Sequence, residues 1–330
     1  MIMRMIRIEF VSALLLALTG VARAEFTFDA EVPLEPRVED VITRAQAGLA
    51  QKQQPNGSWG NCNGRNGLAC MALMVNGNSP GHGKQGAKIA QGIDFIISSQ
   101  HDNGYLVVGN TGSMYQHALA TLALVEAYGM THNPAIRAAV IKAVDLIVGA
   151  QNQTGGWRYS PTSQDADLSV TVMQTMALRA ATETGIYVPK ESIDFAIAFV
   201  RRMFNDRNAT FGYTSPDDGN FNRAGAGVVC LQSCGYTDDP RIPRTVKYMI
   251  ENAKYDNTGS GAYDPWYGYY YCGIAMYHYG GDAWKTFYPR ICEKVLKDWE
   301  KNPAYGDVLD TSWAILVIGT PYRYLPIYQR

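Results

Sequence analysis

Apolar residues along this chain recur with the spacing of an α-helix. Before residue 150 they follow an i, i+4, i+8, i+11 pattern, and a similar pattern precedes residue 205. Such a stripe occupies one face of a helix and predicts an amphipathic segment. A proline stands near the start of these segments, where a first helical turn tolerates it. The stripes comprise Ile136, Val140, Val144, Ile147, Ile193, Ile197, Val200 and Phe204, and the prolines are Pro134, Pro189 and Pro240.

A second type of segment is apolar on nearly all sides. Examples are YQHALATLALVEAYG at 115–129, SVTVMQTMALRAATETG at 169–185 and YYYCGIAMYHYGG at 269–281. A helix of this composition must be buried on every face. Because the two types alternate along the chain, we expect two layers, with the fully apolar helices inside.

A glycine-aromatic turn separates each amphipathic segment from the apolar segment that follows it. The clearest copies are QQPNGSW at 53–59, QHDNGYL at 100–106 and QNQTGGW at 151–157. Looser copies are NDRNATFGY at 205–213, YDNTGSGAY at 255–263 and KNPAYGD at 301–307. The step between copies is about 45 to 55 residues, which is an internal repeat. The pattern predicts about six helical hairpins.

The ends of this repeat bear on the architecture. Neither end carries a polar capping hairpin, which an open array of hairpins would need. We therefore expect an all-α fold, an (α/α)6 toroid in which the hairpins close into a ring. No proline- or serine-rich linker interrupts the period. Residues 25–330 are thus predicted to form a single domain.

The first residues have the pattern of an export signal. Arg4 and Arg7 precede an apolar run from Phe10 to Leu18, and a small-x-small sequence ends at Ala24. This predicts a signal peptide over residues 1–24, cleaved after Ala24, and an exported chain, periplasmic or secreted. An uncleaved anchor is the alternative, but the run is shorter than the roughly 20 residues that cross a bilayer. We expect no membrane span after cleavage.

Charge and aromatic content narrow the choice of partner. The formal net charge is −1, with no basic stripe, which argues against nucleic acid as the partner. The chain has 21 tyrosines, whose rings are apolar and whose hydroxyls bind water, as expected of a binding face. We expect a small-molecule, lipid or carbohydrate ligand, or a protein partner.

The Gln-x(2,3)-Gly-x-Trp/Tyr turns between paired helices resemble the repeats of the squalene-cyclase and protein-prenyltransferase superfamily, the terpenoid cyclase-like toroids. QNQTGGWRYSPTSQDADLSVTVMQTMALRAA and YYYCGIAMYHYGGDAW are similar to a group of exported bacterial proteins with these repeats. The resemblance covers essentially the whole chain after residue 24 and implies the toroid. It does not imply one function, since the same toroid serves cyclases, transferases, polysaccharide-active enzymes and thioester-containing binding proteins.

The sequence QDADLSV at 164–170 resembles the Asp-x-Asp-Asp-Thr-Ala motif of squalene-hopene cyclases, whose middle aspartate protonates an alkene. Asp165 and Asp167 match the first two acidic positions and Ser169 the threonine, but Leu168 replaces the last aspartate. The resemblance implies Asp167 as the catalytic acid, with Asp165 beside it. The alternative is that Asp167 caps a helix, because LDTSWAIL places Asp310 at the equivalent position of the sixth repeat.

Other signatures of the superfamily are incomplete. Prenyltransferases bind zinc through a close Asp-x-Cys pair and a distant histidine, whereas here Asp264 and Cys272 are eight residues apart and His278 follows six later. That spacing does not suit a zinc site. The DDxxD run that binds magnesium and the Gly-Cys-Gly-Glu-Gln thioester sequence are both missing. We therefore expect no metal and no other cofactor.

Two segments carry candidate ligand-binding side chains. His117 stands inside a predicted buried helix next to Tyr115 and Gln116, and a histidine satisfied within the core is the alternative interpretation. Aromatic residues are concentrated at 262–281, and their rings cover more than one helix face, so some are expected to reach the interior of the toroid. From this concentration we expect ligand contacts from Trp266, Tyr269 and Tyr270.

These observations leave three hypotheses about function. The chain is an exported toroid that binds a ligand in an aromatic cavity or at a rim, without established chemistry. Alternatively, it is a terpenoid cyclase-like isomerase with Asp167 as the general acid. The third hypothesis is a carbohydrate-active enzyme with an acid/base pair drawn from Asp165, Asp167, Asp217 or Asp218.

Overall fold

The computed structural model describes residues 36–109, 112–253, 265–303, 307–322 and 325. These ranges contain twelve α-helices in two alternating classes. The amphipathic helices are α1 (Pro36–Gln51), α3 (Gly86–Ser98), α5 (Pro134–Gly149), α7 (Lys190–Arg202), α9 (Arg241–Asn252) and α11 (Gly281–Lys301). The apolar helices are α2 (Asn63–Met74), α4 (Met114–Thr131), α6 (Leu168–Glu183), α8 (Phe221–Ser233), α10 (Pro265–Tyr279) and α12 (Val308–Ile318).

The apolar helices form a closed inner ring. Each packs against the next, from α2 through α12, and α12 packs in turn against α2. The amphipathic helices lie outside this ring and bury one face each, so that the core lies between the two layers. The prediction of an (α/α)6 toroid is therefore confirmed. The predicted signal peptide lies outside the described residues, and in the described residues no helix is both long enough and apolar enough to cross a membrane.

One glutamine in each of the first three turns holds the turn against the next outer helix. In the third turn, Gln151 Nε2 donates to the Gly155 carbonyl at 2.7 Å and to the Ser192 carbonyl of α7 at 2.9 Å. The same two bonds recur in the earlier turns, from Gln53 to Gly57 and Lys88 of α3 and from Gln100 to Gly104 and Ala139 of α5. The repeated glutamine is thus a clamp between successive hairpins.

The glycine of each clamp is required by its backbone conformation and by its surroundings. Gly155 has φ +88°, and a Cβ there would lie 2.3 Å from the Phe195 carbonyl oxygen of α7. Gly57 and Gly104 have φ +88° and +91°, and a Cβ on either would approach an outer-helix carbonyl oxygen within 2.4 Å. Only glycine combines a left-handed backbone with so close an approach.

The structure corrects two details of the sequence prediction. The stripe before residue 205 does not end in a helix, because α7 stops at Arg202 and Phe204 begins a two-stranded hairpin of β1 (Phe204–Asn205) and β2 (Thr210–Phe211). The cap of α12 is Asp307, whose carboxylate accepts from the Asp310 N–H at 3.0 Å. Asp310 is therefore in the first turn of α12 and is not the counterpart of Asp167. The fifth glycine-aromatic turn lies outside the described residues.

Replacing Gly155 with alanine should destabilise the fold much more than the same change at Gly185. Gly185 also has a positive φ, +78°, but a Cβ there would meet nothing within 4 Å. Gly185→Ala should cost only the left-handed strain, about 1 to 2 kcal/mol, and Gly155→Ala should add the clash with α7. Urea unfolding of the two variants tests this; equal losses would mean that the clamp does not need glycine for space.

Candidate functional site

The inner helices begin at one end of the ring, which we call the N-terminal face. The first residue of α4, Met114, donates its N–H to the Tyr159 carbonyl at 2.8 Å, just ahead of α6. The first residue of α6, Leu168, donates its N–H to the Tyr213 carbonyl at 2.9 Å, just ahead of α8. The loops that lead into successive inner helices are therefore neighbours, and side chains from different repeats meet at this face.

The loop ahead of α6 folds back on itself and carries most of the candidate site. Trp157 and Asp167 form an isolated antiparallel bridge, and Trp157 is buried, with its Nε1–H donating to the Ile147 carbonyl at 2.7 Å. Asn152, which is also buried, donates its Nδ2–H to the Asp165 carbonyl at 2.6 Å. Both ends of the 158–166 loop are thus anchored, and Arg158 and Tyr159 project from it at the N-terminal face.

Asp167 is the N-cap of α6, as the capping alternative predicts. Its Oδ1 accepts from the Val170 N–H at 2.8 Å, and its Oδ2 lies 3.4 Å from Arg158 Nε. The side chain is 0% exposed. A capping bond of this type stabilises a helix by about 0.5 to 2 kcal/mol, so Asp167 has a structural role whatever else it does.

Burial also makes Asp167 an unusual acid. Burial raises the pKa of its carboxyl to about 6, against the hydrogen bonds from the Val170 N–H and Tyr213 and the charge of Arg158, which lower it. The ionised form is therefore disfavoured although a cation lies beside it. At neutral pH the group is close enough to its titration range to exchange a proton.

Arg158 joins two carboxylates to a pair of aromatic rings. Its Nη1 lies 3.2 Å from Asp165 Oδ2, and its Cζ is 5.4 Å from the ring centroids of both Tyr159 and Tyr213. The two tyrosine hydroxyls are 2.5 Å apart, and Tyr159 is 49% exposed. The arrangement presents aromatic faces, a guanidinium and an exposed carboxylate to solvent at one place.

Residues of α8 and α10 complete the cluster beneath this platform. Arg223 of α8 has its Cζ 5.6 Å from the Tyr213 ring centroid and is bonded to the Asp218 carbonyl. Tyr267 of α10 is 9% exposed, and Ser169, Asp167 and Arg223 all influence the pKa of its hydroxyl, which burial raises. The cluster therefore combines side chains from three successive repeats.

Tyr115, Gln116 and His117 lie in the first turn of α4, and their surroundings differ. Tyr115 and Gln116 are partly exposed, whereas His117 is 0% exposed. The Leu106 N–H donates to His117 Nδ1 at 3.1 Å, and His117 Nε2 donates to the Ala143 carbonyl at 3.2 Å. Burial lowers the pKa of His117 to about 4. The ring is thus neutral with both nitrogens engaged by backbone, which fits the alternative of a histidine satisfied in the core.

The three aromatic candidates of α10 are all buried. Trp266 and Tyr269 are each 6% exposed, with ring centroids 6.1 Å apart. Tyr270 is 1% exposed, and its ring lies 4.8 Å from that of Trp313 in α12. Their role in ligand binding stays a prediction. Besides these ring contacts, Lys294 Nζ lies 5.6 Å from the Tyr269 ring centroid. Tyr267 of α10 interacts electrostatically with Asp167.

The metal-binding candidates of the sequence do not come together within the described residues. In that part of the chain, no three histidine, cysteine, aspartate or glutamate side chains converge as metal ligands would. Cys272 is buried, and its Sγ lies 3.5 Å from the Phe221 carbonyl. Asp264 lies outside the described residues.

Five members of the cluster were not among the site residues predicted from the sequence, namely Arg158, Tyr159, Tyr213, Arg223 and Tyr267. Arg158 and Tyr213 each follow a repeated glycine-aromatic turn, within two residues of Trp157 and Phe211. A charged or hydroxylated residue directly after such a turn is a signal that could have found them. Arg223 and Tyr267 carry no local signal, because only the packing of α6, α8 and α10 brings them together.

No protein-family model matches the sequence, and no curated protein matches it. Solved structures do share the fold. An inactive variant of an α-1,6-mannanase of Salegentibacter sp. HEL1_6, in complex with α-1,6-mannotetrose, superposes with a TM-score of 0.65 at 8% identity, covering 87% of this chain and 99% of that chain. A type II terpene cyclase from Scytonema, in complex with geranylgeranyl dihydroxybenzoate, gives a TM-score of 0.62 at 11% identity, covering 88% and 98%.

A third similar structure is Salmonella α-2-macroglobulin reacted with methylamine, with a TM-score of 0.52 at 14% identity. The match covers 84% of this chain and 17% of that chain. At such low identities these likenesses show the fold alone. The class that the structure defines is therefore an (α/α)6 toroid, shared with a mannanase and a terpene cyclase, and the resemblance to an exported bacterial group stays a prediction.

Asp167→Asn should change how stability depends on pH. The folded pKa of Asp167, about 6, exceeds the ordinary 3.8, so the protonated carboxyl stabilises the fold below about pH 4, and this contribution is lost as pH rises through 6. Asparagine keeps the cap without the charge. The unfolding free energy of the variant relative to wild type should rise by about 2 kcal/mol from pH 4 to pH 7, since each pKa unit is worth about 1.4 kcal/mol and part of the effect lies below pH 4.

Urea unfolding at a series of pH values measures this difference. Asp307→Asn is the matched control, because Asp307 caps α12 in the same way from an exposed position. A constant difference between Asp167→Asn and wild type across this range would contradict the raised pKa.

Proposed function

We propose that this toroid binds a saccharide at the N-terminal face, on the platform formed by Arg158, Tyr159 and Tyr213. The observation that carries the proposal is the half-exposed Tyr159 ring, held beside Arg158 and next to the Asp165 carboxylate. A sugar has apolar C–H faces that stack on aromatic rings and hydroxyls that bond to charged groups. A surface with both features within one side-chain length suits such a ligand.

The interior contacts give less support to the terpenoid alternative. Tyr270 and Tyr271 are each 1% exposed, with ring centroids 5.1 Å apart, and Tyr270 also packs on Trp313. Protonating an alkene needs an unusually strong acid, whereas the pKa of Asp167 is raised and its Oδ2 lies beside Arg158. An acid with a raised pKa donates its proton less readily to a weak base.

The two carboxylates around Arg158 favour a second candidate, hydrolysis of the bound saccharide. Asp167 is buried with a pKa of about 6, whereas the Asp165 side chain is 70% exposed. Glycosidases use one carboxyl that is protonated near neutral pH and one that is ionised. In this scheme Asp167 gives its proton to the glycosidic oxygen as the C–O bond breaks, and Asp165 takes a proton from the attacking water. Arg158 would have to swing aside to admit the substrate to Asp167.

Export is part of the same proposal. We propose that residues 1–24 are a signal peptide and that residues from Glu25 onward form a single domain that acts outside the cytoplasm, as the sequence pattern supports. Extracellular and periplasmic proteins meet polysaccharides directly, whereas isoprenyl lipids would have to be delivered. A protein partner is the alternative if no small ligand binds.

The purified protein should be stabilised by neutral oligosaccharides and not by isoprenoids. A thermal-shift screen with α-1,6-mannotriose, maltotriose, xylotriose and geranylgeraniol tests this, followed by calorimetry of any hit. Tyr159→Ala should weaken saccharide binding about tenfold by removing the exposed ring. Tyr187→Ala is the matched control, because Tyr187 is 81% exposed in the loop between α6 and α7. Stabilisation by geranylgeraniol alone would support the terpenoid alternative.

If the site is hydrolytic, Asp167→Asn should lower the release of reducing ends from the bound oligosaccharide by about 10²- to 10⁴-fold. The variant keeps its fold, because the asparagine oxygen still accepts from the Val170 N–H. Asp165→Asn should lower the rate as well without affecting the cap. Wild-type turnover in Asp167→Asn would reject the acid role. If the wild-type protein binds an oligosaccharide without cleaving it, the hydrolysis proposal fails and the binding proposal stands.

A further inference from the structure

The platform of Arg158, Tyr159 and Tyr213 carries an exposed carboxylate at its edge. Asp165 Oδ2 lies 3.2 Å from Arg158 Nη1, and the Asp165 side chain is 70% exposed, whereas that of Arg158 is 24% exposed. Arg158 Nε also lies 3.4 Å from Oδ2 of the buried Asp167. The guanidinium, whose Cζ is 5.4 Å from the Tyr159 ring centroid, thus faces two carboxylates. Because Asp165 is the exposed one, it is the acidic group nearest to a ligand stacked on Tyr159.

The backbone of Asp165 is anchored independently of its charge. Its carbonyl accepts from Asn152 Nδ2 at 2.6 Å, and Asp167, two positions later, is bridged to Trp157. An exposed ion pair, such as that of Asp165 with Arg158, contributes little to stability. The loop therefore does not depend on the carboxylate, and the charge can be removed while the platform is kept.

An arginine beside aromatic rings would by itself favour an acidic ligand. A guanidinium matches the geometry of a carboxylate and bonds to it more strongly than to a neutral hydroxyl. A ligand carboxylate at Arg158, however, would lie next to Asp165 and would be repelled by its charge. A ligand hydroxyl can instead donate a hydrogen bond to Asp165. The pair of Arg158 and Asp165 therefore suits a neutral sugar.

The second arginine at the platform does not reverse this balance. Arg223 has its Cζ 5.6 Å from the Tyr213 ring centroid and is bonded to the Asp218 carbonyl. The carboxylate of the same aspartate accepts from the Tyr213 N–H at 2.5 Å. Arg223 thus also has an aspartate beside it, and the platform presents no excess of positive charge to an acidic sugar.

We propose that Asp165 determines which saccharides the platform accepts: its carboxylate binds a hydroxyl of a neutral sugar and excludes the uronic acids that Arg158 would otherwise attract. The proposal rests on the saccharide-binding function given above and deepens it by naming neutral saccharides as the ligand class. It applies to a binding protein and to a hydrolase alike. Specificity of this kind depends on a repulsive group as well as on attractive ones.

Asp165→Asn tests this role by calorimetry with paired ligands. The neutral members are α-1,6-mannotriose, maltotriose and xylotriose. The acidic counterpart is the trisaccharide oxidised at C6 of its non-reducing sugar or, for xylotriose, its glucuronosyl derivative. Wild type should bind the neutral member of a pair about tenfold more tightly than the acidic one. Asp165→Asn should remove most of this preference, because a ligand carboxylate then reaches Arg158 without the repulsion of Asp165.

The dependence on salt gives a second measurement that needs no variant. Salt screens charges at exposed positions, so the preference of wild type for the neutral member should narrow as salt is raised from about 0.05 to 0.5 M. A preference that comes from shape alone would not change with salt, and that result would overturn the role of Asp165.

Asp206→Asn is the matched control. Asp206 is 82% exposed and lies 2.8 Å from Arg244, in the turn between β1 and β2. Its replacement changes the net charge equally but leaves the surroundings of Arg158 intact, so it should keep the wild-type preference. Equal preference of Asp165→Asn and wild type, or a wild type that prefers the uronic acids, would overturn the role of Asp165 and leave saccharide binding standing. A wild type that binds neither member of any pair would overturn the proposed function and the role of Asp165 with it.

Discussion

The contact on which this toroid depends is the clamp between a turn and the next outer helix. One glutamine amide bonds both to its own turn and to a carbonyl of the following outer helix, and a left-handed glycine lets the backbone approach that helix closely. Because the contact is the same in three successive hairpins, each hairpin sets the placement of the next. A constant step between hairpins is what allows the inner ring to close at α12 and α2.

A second repeated contact shows which polar side chains of the inner helices have a structural role. The backbone N–H that ends each of the first three turns is bonded by a side chain of the following inner helix, namely Asn66 to Trp59, His117 to Leu106 and Thr171 to Trp157. His117 thus does what an asparagine and a threonine do elsewhere in the ring, and it needs no ligand to explain it. The feature that varies is the length of the loop after the turn: α2 starts four positions after Trp59, α4 eight positions after Leu106 and α6 eleven positions after Trp157.

Sequence alone was sufficient for the fold because its determinants are local. Helical periodicity and the Gln/Gly turns each span a few residues, and they predicted both layers and the closed ring. Helix ends were less predictable, since the stripe through Phe204 continues past the end of α7 and an aspartate in a first turn looks like a cap. The site was predicted only at Asp165 and Asp167. Arg223 of α8 lies over the Tyr213 ring and Tyr267 of α10 interacts electrostatically with Asp167, and no local pattern encodes such long-range relationships.

Asp167 shows why a structural and a functional role need not exclude each other. Capping uses only Oδ1, which accepts from the Val170 N–H, and leaves Oδ2 directed at Arg158. Burial then raises the pKa of the group, so the fold loses stability when the carboxylate ionises. If Asp167 served only as a cap, asparagine at this position would cap α6 as well without the cost of ionising a buried carboxyl. The buried carboxyl is therefore a stability cost that the proposed ligand at the N-terminal face would account for.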